Sequence, residues 1–176
     1  MREVLTRERM FRLMKELARS ARGAHRVFVV GGGTAVLLGW REATIDVDLH
    51  ADRDTVFRDV QEIKERLNVN IEFARPEDFV PPLRGTSRRH LFIETIGSVS
   101  FYHYDPYAQL LSKIVRGFRG DLDDARAFLR DGLVNPGKFR SLVSAIPDSA
   151  YARYPALSRR GVERAVESFL GEPSAG

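Results

Sequence analysis

The 176-residue chain contains no cysteine, which excludes disulfide scaffolds, thiolate zinc sites, iron–sulfur clusters and thiol nucleophiles. A metal ion held by side chains therefore needs oxygen or imidazole ligands. Long apolar runs are also lacking, since stretches such as Val27–Val30 are far shorter than the roughly 20 residues that span a bilayer. The segment Met1–Arg22 alternates charged and apolar positions and has no apolar core typical of a secretory signal. We therefore expect a cytoplasmic protein that does not enter a membrane.

Lysine is scarce, since only four of the 28 basic residues are lysines and arginine supplies the rest. The 24 acidic residues leave a net charge of +4, a modest surplus that favours anionic partners such as phosphates or nucleic acid. The chain is 43% hydrophobic and 30% charged, which suits one compact domain of ordinary composition and not two large ones.

Apolar periodicity divides the chain into an α/β first part and a helical second part. Strands are predicted over 27–30, 45–49, 69–74, 91–96 and 99–104, with a hairpin turn at Gly97 and Ser98. Helices are predicted over 2–20, 34–38, 52–67, 106–118, 122–130, 136–146 and 158–170. We predict a mixed α/β (α+β) core over 1–104 with a small mixed sheet flanked by helices. A helical subdomain over 105–170 packs on that core, and 171–176 form a disordered tail.

Two acidic residues, Asp46 and Asp48, alternate with apolar residues on the second predicted strand. Side chains two apart on a strand point to the same face, so the carboxylates converge while Ile45, Val47 and Leu49 face the core. A hard divalent cation, usually magnesium, relieves the repulsion between such carboxylates and supports phosphoryl or nucleotidyl transfer.

A glycine turn, Gly31–Gly33, follows the first predicted strand and precedes a short helix. Backbone without Cβ atoms can approach a phosphate closely, the helix start offers free N–H groups, and Thr34 adds a hydroxyl donor. The simpler interpretation is a tight turn beside aspartates that face water, but the joint occurrence of both segments favours phosphate binding. A dinucleotide-binding loop fits less well, because only two of its three glycines are present and the acidic residues come too early for a ribose contact.

These segments resemble a known family. Gly32-Gly33-Thr34-Ala35, followed by Arg41, Thr44 and Asp46-Val47-Asp48, is similar to the signature of the polymerase-beta-like nucleotidyltransferase superfamily. The greatest similarity is to the minimal nucleotidyltransferases of the abortive-infection toxin type and their uncharacterised bacterial relatives, over roughly residues 26–130. The resemblance implies that Gly32, Gly33 and Thr34 hold a triphosphate and that Asp46 and Asp48 bind magnesium. It also implies a third carboxylate on a neighbouring strand.

Two glutamates are candidates for that third carboxylate. Glu72 lies between apolar residues on the strand at 69–74, where the superfamily pattern places this residue, and Glu94 has a similar setting on the hairpin. We favour Glu72, and the alternative for each is a salt-bridged strand residue. In the superfamily the third carboxylate activates the acceptor hydroxyl, as general base or through the shared metal.

A second segment, Leu111–Arg116 followed by Asp121–Asp124, is similar to the helical lysine and Arg-Asp-x-x-Asp segment of those toxins, with Gly120 in place of the arginine. Lys113 and Arg116 share a helix face and are predicted to bind the phosphates of the nucleotide. The alternative for Lys113 is a surface lysine with a buried stem. Asp121 and Asp124 are predicted to be structural partners of these cations, or acids at the N-terminus of a helix, and not metal ligands.

Two further groups of residues have two interpretations each. The arginines of a proline-bounded loop contact the phosphates of an acceptor or stay solvated: Arg84, Arg88 and Arg89. The aromatic residues of the hairpin and the following helix stack a base or pack in the core: Tyr102, His103, Tyr104 and Tyr107. His50 is the one histidine expected near Asp48.

The resemblance implies magnesium-dependent transfer of a nucleoside monophosphate from a nucleoside triphosphate to an acceptor hydroxyl. Candidate acceptors are RNA, especially transfer-RNA ends, a protein side chain or a small molecule. The alternative is a catalytically inactive member of the same fold that binds nucleotide or a cognate protein as one half of a toxin and antitoxin pair. Fold resemblance does not decide between the two, because function depends on the site.

Overall fold

The computed structural model describes residues 1–171, which form two compact units. The first unit contains Met1–Arg75 and His90–Tyr104, and the second contains Pro76–Arg89 and the chain from Asp105 onward. The division after Tyr104 coincides with the predicted domain boundary. Of the predicted tail, Gly171 caps the last helix, and 172–176 lie outside the described residues.

The segment 76–89 belongs to the second unit, whereas the sequence prediction placed it in the first. Two long-range contacts explain the difference. The Tyr154 hydroxyl donates a hydrogen bond of 2.6 Å to the carbonyl oxygen of Glu77, and the Arg89 guanidinium forms a 2.8 Å ion pair with Asp105. Neither contact has a signal in the local sequence pattern.

The strands of the first unit form a five-stranded and a two-stranded sheet. They are β1 (Leu5–Thr6), β2 (His25–Val30), β3 (Ala43–Thr44), β4 (Asp46–Ala51), β5 (Asn70–Phe73), β6 (Leu91–Ile96) and β7 (Val99–His103). The larger sheet has the order β5-β4-β2-β7-β6. Within it β2 is parallel to β7, β4 is parallel to β5, and the other neighbours are antiparallel, so the sheet is mixed as predicted.

Three α-helices accompany the sheets in this fully described unit: α1 (Arg7–Ser20), α2 (Gly32–Leu37) and α3 (Val60–Leu67), with a 3₁₀ turn at Asp54–Phe57. Apolar residues of α1 pack with the inward-facing residues of β2, β4 and β7 in one core. Helix α1 begins later than predicted because Leu5 and Thr6 pair with β3, and the Thr6 hydroxyl accepts a hydrogen bond from the Arg9 N–H.

Ile45 departs from the predicted strand pattern. Val47 and Leu49 are buried in the core as predicted, but Ile45 is 64% exposed. The reason is that β4 begins only at Asp46, which pairs with Asn70, so Ile45 lies in the connection between β3 and β4.

The second unit is helical. It contains α4 (Pro106–Arg116), α5 (Arg119–Arg130), α6 (Pro136–Ser144), α7 (Asp148–Tyr151) and α8 (Arg159–Leu170), with 3₁₀ turns at Pro76–Asp78 and Thr86–Arg88. Helix α4 packs against α5 and α8, and α6 packs against α8. Gly117 ends α4 in a left-handed conformation (φ +68°), which allows α5 to begin earlier than predicted. Helix α7 has no counterpart in the prediction.

The observed architecture confirms the predicted fold class, a mixed sheet with helices followed by a helical region. Within residues 1–171, the structure contains no helix with the length and apolarity needed to cross a bilayer.

Candidate functional site

Gly31 occupies a backbone conformation (φ +66°, ψ −128°) that favours glycine. A Cβ atom at this position would lie 3.0 Å from Oδ2 of Asp48, and one at Gly32 would lie 2.3 Å from the Thr44 hydroxyl oxygen. The antiparallel pairing of Val30 with Asp48 produces this proximity, because it sets the end of β2 beside the middle of β4. The structure therefore brings the predicted glycine turn and one of the two predicted aspartates together.

Gly33 has a packing role. A Cβ atom here would lie 2.8 Å from Cγ1 of Val29 and 3.2 Å from Cε of Met10, so only glycine lets α2 approach β2 and α1 this closely. Its Cα faces the core of the first unit. The prediction assigned Gly33 to phosphate binding, and only its backbone N–H is available for that purpose.

Thr34 is buried, at 1% exposed. Its hydroxyl donates a hydrogen bond of 3.1 Å to the carbonyl oxygen of Val29 and lies 3.1 Å from Nδ1 of His103. The prediction assigned this hydroxyl to a terminal phosphate, whereas the structure uses it to join α2 to β2 and β7.

Asp46 and Asp48 lie on the same face of β4, opposite to the buried Val47 and Leu49. Asp46 is exposed and Asp48 is half-buried. The Asn70 side-chain amide donates a hydrogen bond of 2.5 Å to Oδ1 of Asp46. The same-face arrangement that the sequence predicts for the two carboxylates is present.

Glu72 and Glu94 lie on the two opposite edge strands of the five-stranded sheet. Glu72 is on β5, in register with Asp48 on the neighbouring strand, and its Oε1 lies 3.5 Å from Nδ2 of Asn70. Glu94 is on β6, separated from β4 by β2 and β7. Glu72 therefore lies on the strand next to Asp46 and Asp48, and Glu94 does not. Asn70 was missed by the sequence reasoning, although its i, i+2 spacing with Glu72 on one strand places it on the same face.

The donor set around Asp46 and Asp48 suits a hard cation only in part. In the stretch 1–171, no three His, Asp or Glu side chains are grouped so that they could hold one metal ion. The predicted three-carboxylate group that includes Glu72 is therefore not assembled. Two carboxylates on one strand face do fit magnesium bound together with substrate phosphates, since magnesium commonly uses one or two protein carboxylates and takes its other ligands from phosphate and water.

Lys113 and Arg116 belong to the second unit and have acidic neighbours there. Lys113 is buried, with its Nζ 2.9 Å from Oδ2 of Asp124 and 3.7 Å from Oδ1 of Asp121. The Arg116 guanidinium lies 3.6 Å from Oδ2 of Asp121 and stacks on the rings of Phe79 and Phe118. The ion pairs agree with the prediction that Asp121 and Asp124 are structural partners of these cations. Lys113 is not a surface lysine.

Arg89 is a structural residue of the second unit. Its guanidinium bonds both carboxylate oxygens of the fully buried Asp105 and stacks on the Tyr107 ring. Asp105 in turn caps α4, because its Oδ1 accepts a hydrogen bond from the Tyr107 N–H. This pair was missed in the sequence. Arg84 and Arg88 are exposed on the loop, which agrees with the interpretation that these arginines are solvated.

The predicted aromatic cluster is divided. Tyr102 and Tyr104 contact the ring of Phe28 on the sheet face that also carries His50. His103 lies on the opposite face, and Tyr107 is in the second unit. The Phe28 ring also lies 4.4 Å from the ring of His90, a residue that sequence reasoning did not single out. This face therefore carries imidazole and aromatic rings on the same side as Asp46 and Asp48.

An open cavity of about 380 Å³ lies beside Asp46 in the first unit. It combines apolar side chains with one guanidinium and one carboxylate: Val4, Arg41, Ala43, Thr44, Ile45 and Asp46. Val4 and Ile45 are at least half exposed, so apolar surface is available to a ligand. Arg41, Thr44 and Asp46 belong to the motif that the sequence shows. Val4 comes from a remote part of the chain, so the sequence does not predict its place in this cavity.

Comparison of the chain with protein-family models, with curated proteins and with solved structures gave no significant match. The similarity to nucleotidyltransferases therefore rests on the residues described above.

Proposed function

We propose that the protein is a magnesium-dependent nucleotidyltransferase that moves a nucleoside monophosphate from a nucleoside triphosphate to an acceptor hydroxyl. The observation that carries this proposal is the proximity of the Gly31–Gly32 turn to Asp48, on the strand face that also holds Asp46. The turn offers backbone N–H groups at the start of α2, where no side chain caps the helix. A phosphate-binding backbone and a pair of hard oxygen donors thus adjoin each other.

In the proposed reaction, the acceptor oxygen forms a bond to the α-phosphorus and the bond from that phosphorus to the bridging oxygen breaks. Pyrophosphate leaves with the electron pair of the broken bond. Asp46 and Asp48 hold the magnesium ion, which neutralises charge on the phosphates when it is bound. The N–H groups of the turn orient the triphosphate.

Glu72 is the proposed acceptor of the hydroxyl proton. It is exposed on β5 and in register with Asp48, so an acceptor near the carboxylates reaches it from solvent. The cavity beside Asp46 gives the acceptor an apolar surface next to the Asp46 carboxylate. Its mixed lining suits an RNA end, a protein side chain or a small hydroxylated molecule.

The test uses nucleoside triphosphates labelled at the α-phosphate, incubated with the protein, magnesium and cell extract, followed by separation of RNA, protein and small molecules. We expect label in one acceptor class, reduced by about 100-fold in Asp46→Asn and Asp48→Asn, which corresponds to about 2.7 kcal/mol of activation free energy. Glu72→Gln should also lose label. Glu94→Gln is the matched control, because Glu94 is an exposed strand carboxylate on the far side of the sheet. Metal-independent labelling, or equal labelling by all variants, would contradict the proposal.

A second candidate function is nucleotide or protein binding without catalysis, as one component of a toxin and antitoxin pair. It is favoured by the internal partners of two predicted phosphate contacts, the Thr34 hydroxyl with Val29 and the Lys113 ammonium with Asp124. Under this function the unaltered protein binds triphosphate, or a co-purified protein, and transfers no label in the same incubation.

A further inference from the structure

His103 is buried on the core side of β7, at 6% exposed, where Val99 and Phe101 of the same strand are also buried. Its Nδ1 lies 3.1 Å from the hydroxyl oxygen of Thr34, which is 69 residues away in sequence. Thr34 is in the first turn of α2, directly after the glycine turn. A side chain of β7 thus reaches the element that follows the proposed phosphate-binding backbone.

The direction of each hydrogen bond follows from the groups involved. The carbonyl oxygen of Val29 only accepts, and it receives both the Thr34 hydroxyl at 3.1 Å and the Tyr104 N–H at 2.9 Å. The Thr34 hydroxyl proton is therefore used, and its oxygen accepts from the Nδ1–H of His103. Burial lowers the pKa of His103 to about 4, so the imidazole is neutral at pH 7. The resulting chain is His103 Nδ1–H to Thr34 Oγ–H to Val29 carbonyl.

The glycine turn needs such a constraint. Gly31–Gly33 form three consecutive residues without Cβ atoms, and α2 is only six residues long with no side-chain cap. Glycine loses more conformational entropy on ordering than any other residue, so the turn has little local preference for its observed conformation. The hydrogen-bond chain joins its two flanks, Val29 before the turn and Thr34 after it, to the rigid strand β7.

We propose that His103 is a positioning residue that fixes the Gly31–Gly33 turn through the Thr34 hydroxyl, and so prepares the turn for a triphosphate. The identity of that ligand rests on the proposed function, whereas the ordering of the turn does not. The imidazole acts through Thr34 and has no contact with the reacting atoms in this role.

Two pairs of variants separate the hydrogen bonds from the volume of the side chains. Thr34→Ser keeps the hydroxyl and Thr34→Val removes it at nearly constant shape. His103→Asn keeps an N–H donor close to the position of Nδ1, and His103→Leu removes the donor. Val99→Ala is the control for general destabilisation, because Val99 is a fully buried core residue of β7 that pairs with His25 and not with α2.

The first measurement is amide hydrogen exchange at Ala35 and Leu38, whose N–H groups donate to the carbonyl oxygens of Gly31 and Thr34. We expect Thr34→Val and His103→Leu to accelerate this exchange about tenfold more than Val99→Ala does at equal loss of global stability. Thr34→Ser and His103→Asn should keep the slow exchange of the unaltered protein. Nitrogen chemical shifts of the imidazole should report the Nδ1–H form. Unchanged exchange in Thr34→Val, or an Nε2–H imidazole, would overturn the proposal even where His103→Leu does not fold.

The second measurement is the affinity of each variant for magnesium and a nonhydrolysable nucleoside triphosphate. Thr34→Val and His103→Leu should weaken binding about tenfold, and the double variant should weaken it no further because both changes break one chain. If the unaltered protein binds no triphosphate, the proposed function fails, and the exchange rates alone then support or overturn the positioning role.

Discussion

At the scale of single residues, burial keeps His103 neutral at pH 7. The pKa of an unperturbed histidine is about 6.5, and the pKa of His103 is lowered to about 4. Protonation of this imidazole should therefore contribute to the pH dependence of stability at the turn.

The folded state is expected to lose stability as the pH falls from about 6.5 to about 4. The unfolded chain binds a proton at His103 in this range and the folded chain does not, so the free energy of unfolding rises with pH across it. At about 1.4 kcal/mol for each pKa unit, the contribution is at most about 3.5 kcal/mol, present in full above the unfolded pKa and lost as the pH falls through about 4. Urea unfolding at pH 4, 5, 6 and 7 measures it.

The matched variant for this measurement is His103→Asn, which keeps a hydrogen-bond donor and has no titratable group. Its stability should change less than that of the unaltered protein between pH 7 and pH 4. Parallel curves for the two proteins would show that His103 does not carry the pH dependence.

At the scale of secondary-structure elements, α4 and α5 are joined by the buried pair of Lys113 and Asp124. The Lys113 ammonium and the Asp124 carboxylate are each less than a tenth exposed and 2.9 Å apart. Removing one partner of such a pair leaves a buried charge without its counterion, whereas replacing both by apolar residues is often neutral or stabilising.

We therefore expect Lys113→Met to reduce the free energy of unfolding by about 3 kcal/mol and the double change Lys113→Met with Asp124→Leu to recover part of that loss, because Asp121 still lacks the ammonium. Denaturant unfolding measures stability, and triphosphate affinity is measured on the same proteins. Lys138→Met is the control, since Lys138 is an exposed lysine of the same unit. Recovery of stability without recovery of affinity would support the predicted role of Lys113 in phosphate binding. Recovery of both stability and affinity would show that Lys113 has only a structural role.

Elements were predictable from sequence where a local pattern decides them. The alternation at Asp46–Leu49 places both aspartates on one face and buries Val47 and Leu49, because strand geometry fixes the side-chain period. Ile45 departs from this pattern because pairing with β5, and not the local sequence, sets the start of β4.

Parts of the candidate site depend on long-range pairing and were not predictable in the same way. Glu72 was preferred over Glu94 only through the family resemblance, because the sequence does not show that β5, and not β6, lies next to β4. One partner of the Thr34 hydroxyl, His103, is 69 residues away, and the partner of Arg89, Asp105, is 16 residues away. No spacing rule relates such residues before the chain is folded.

At the scale of the whole molecule, the two compact units bear on how a ligand would stabilise the protein. A ligand that binds only the folded state raises the free energy of unfolding by about 2.7 kcal/mol at a concentration 100 times its dissociation constant. A protein with more than one unit does not necessarily unfold in a single two-state transition. The unfolding transition of the unit that contacts the ligand is then the one that the ligand stabilises. Asp46, Asp48 and the glycine turn are all in the first unit.

Magnesium with a nucleoside triphosphate should therefore raise the unfolding temperature of the first unit in calorimetry, by about 10–20 °C near that concentration for a unit of fewer than 100 residues. The rise should require both magnesium and triphosphate and should disappear in the double variant Asp46→Asn with Asp48→Asn. Lys113 and Arg116 belong to the second unit, so their predicted role in phosphate binding requires the transition of that unit to rise as well. A rise confined to the first unit would limit the triphosphate contacts to the glycine turn and the aspartates. No rise in any transition would count against nucleotide binding by either proposed function.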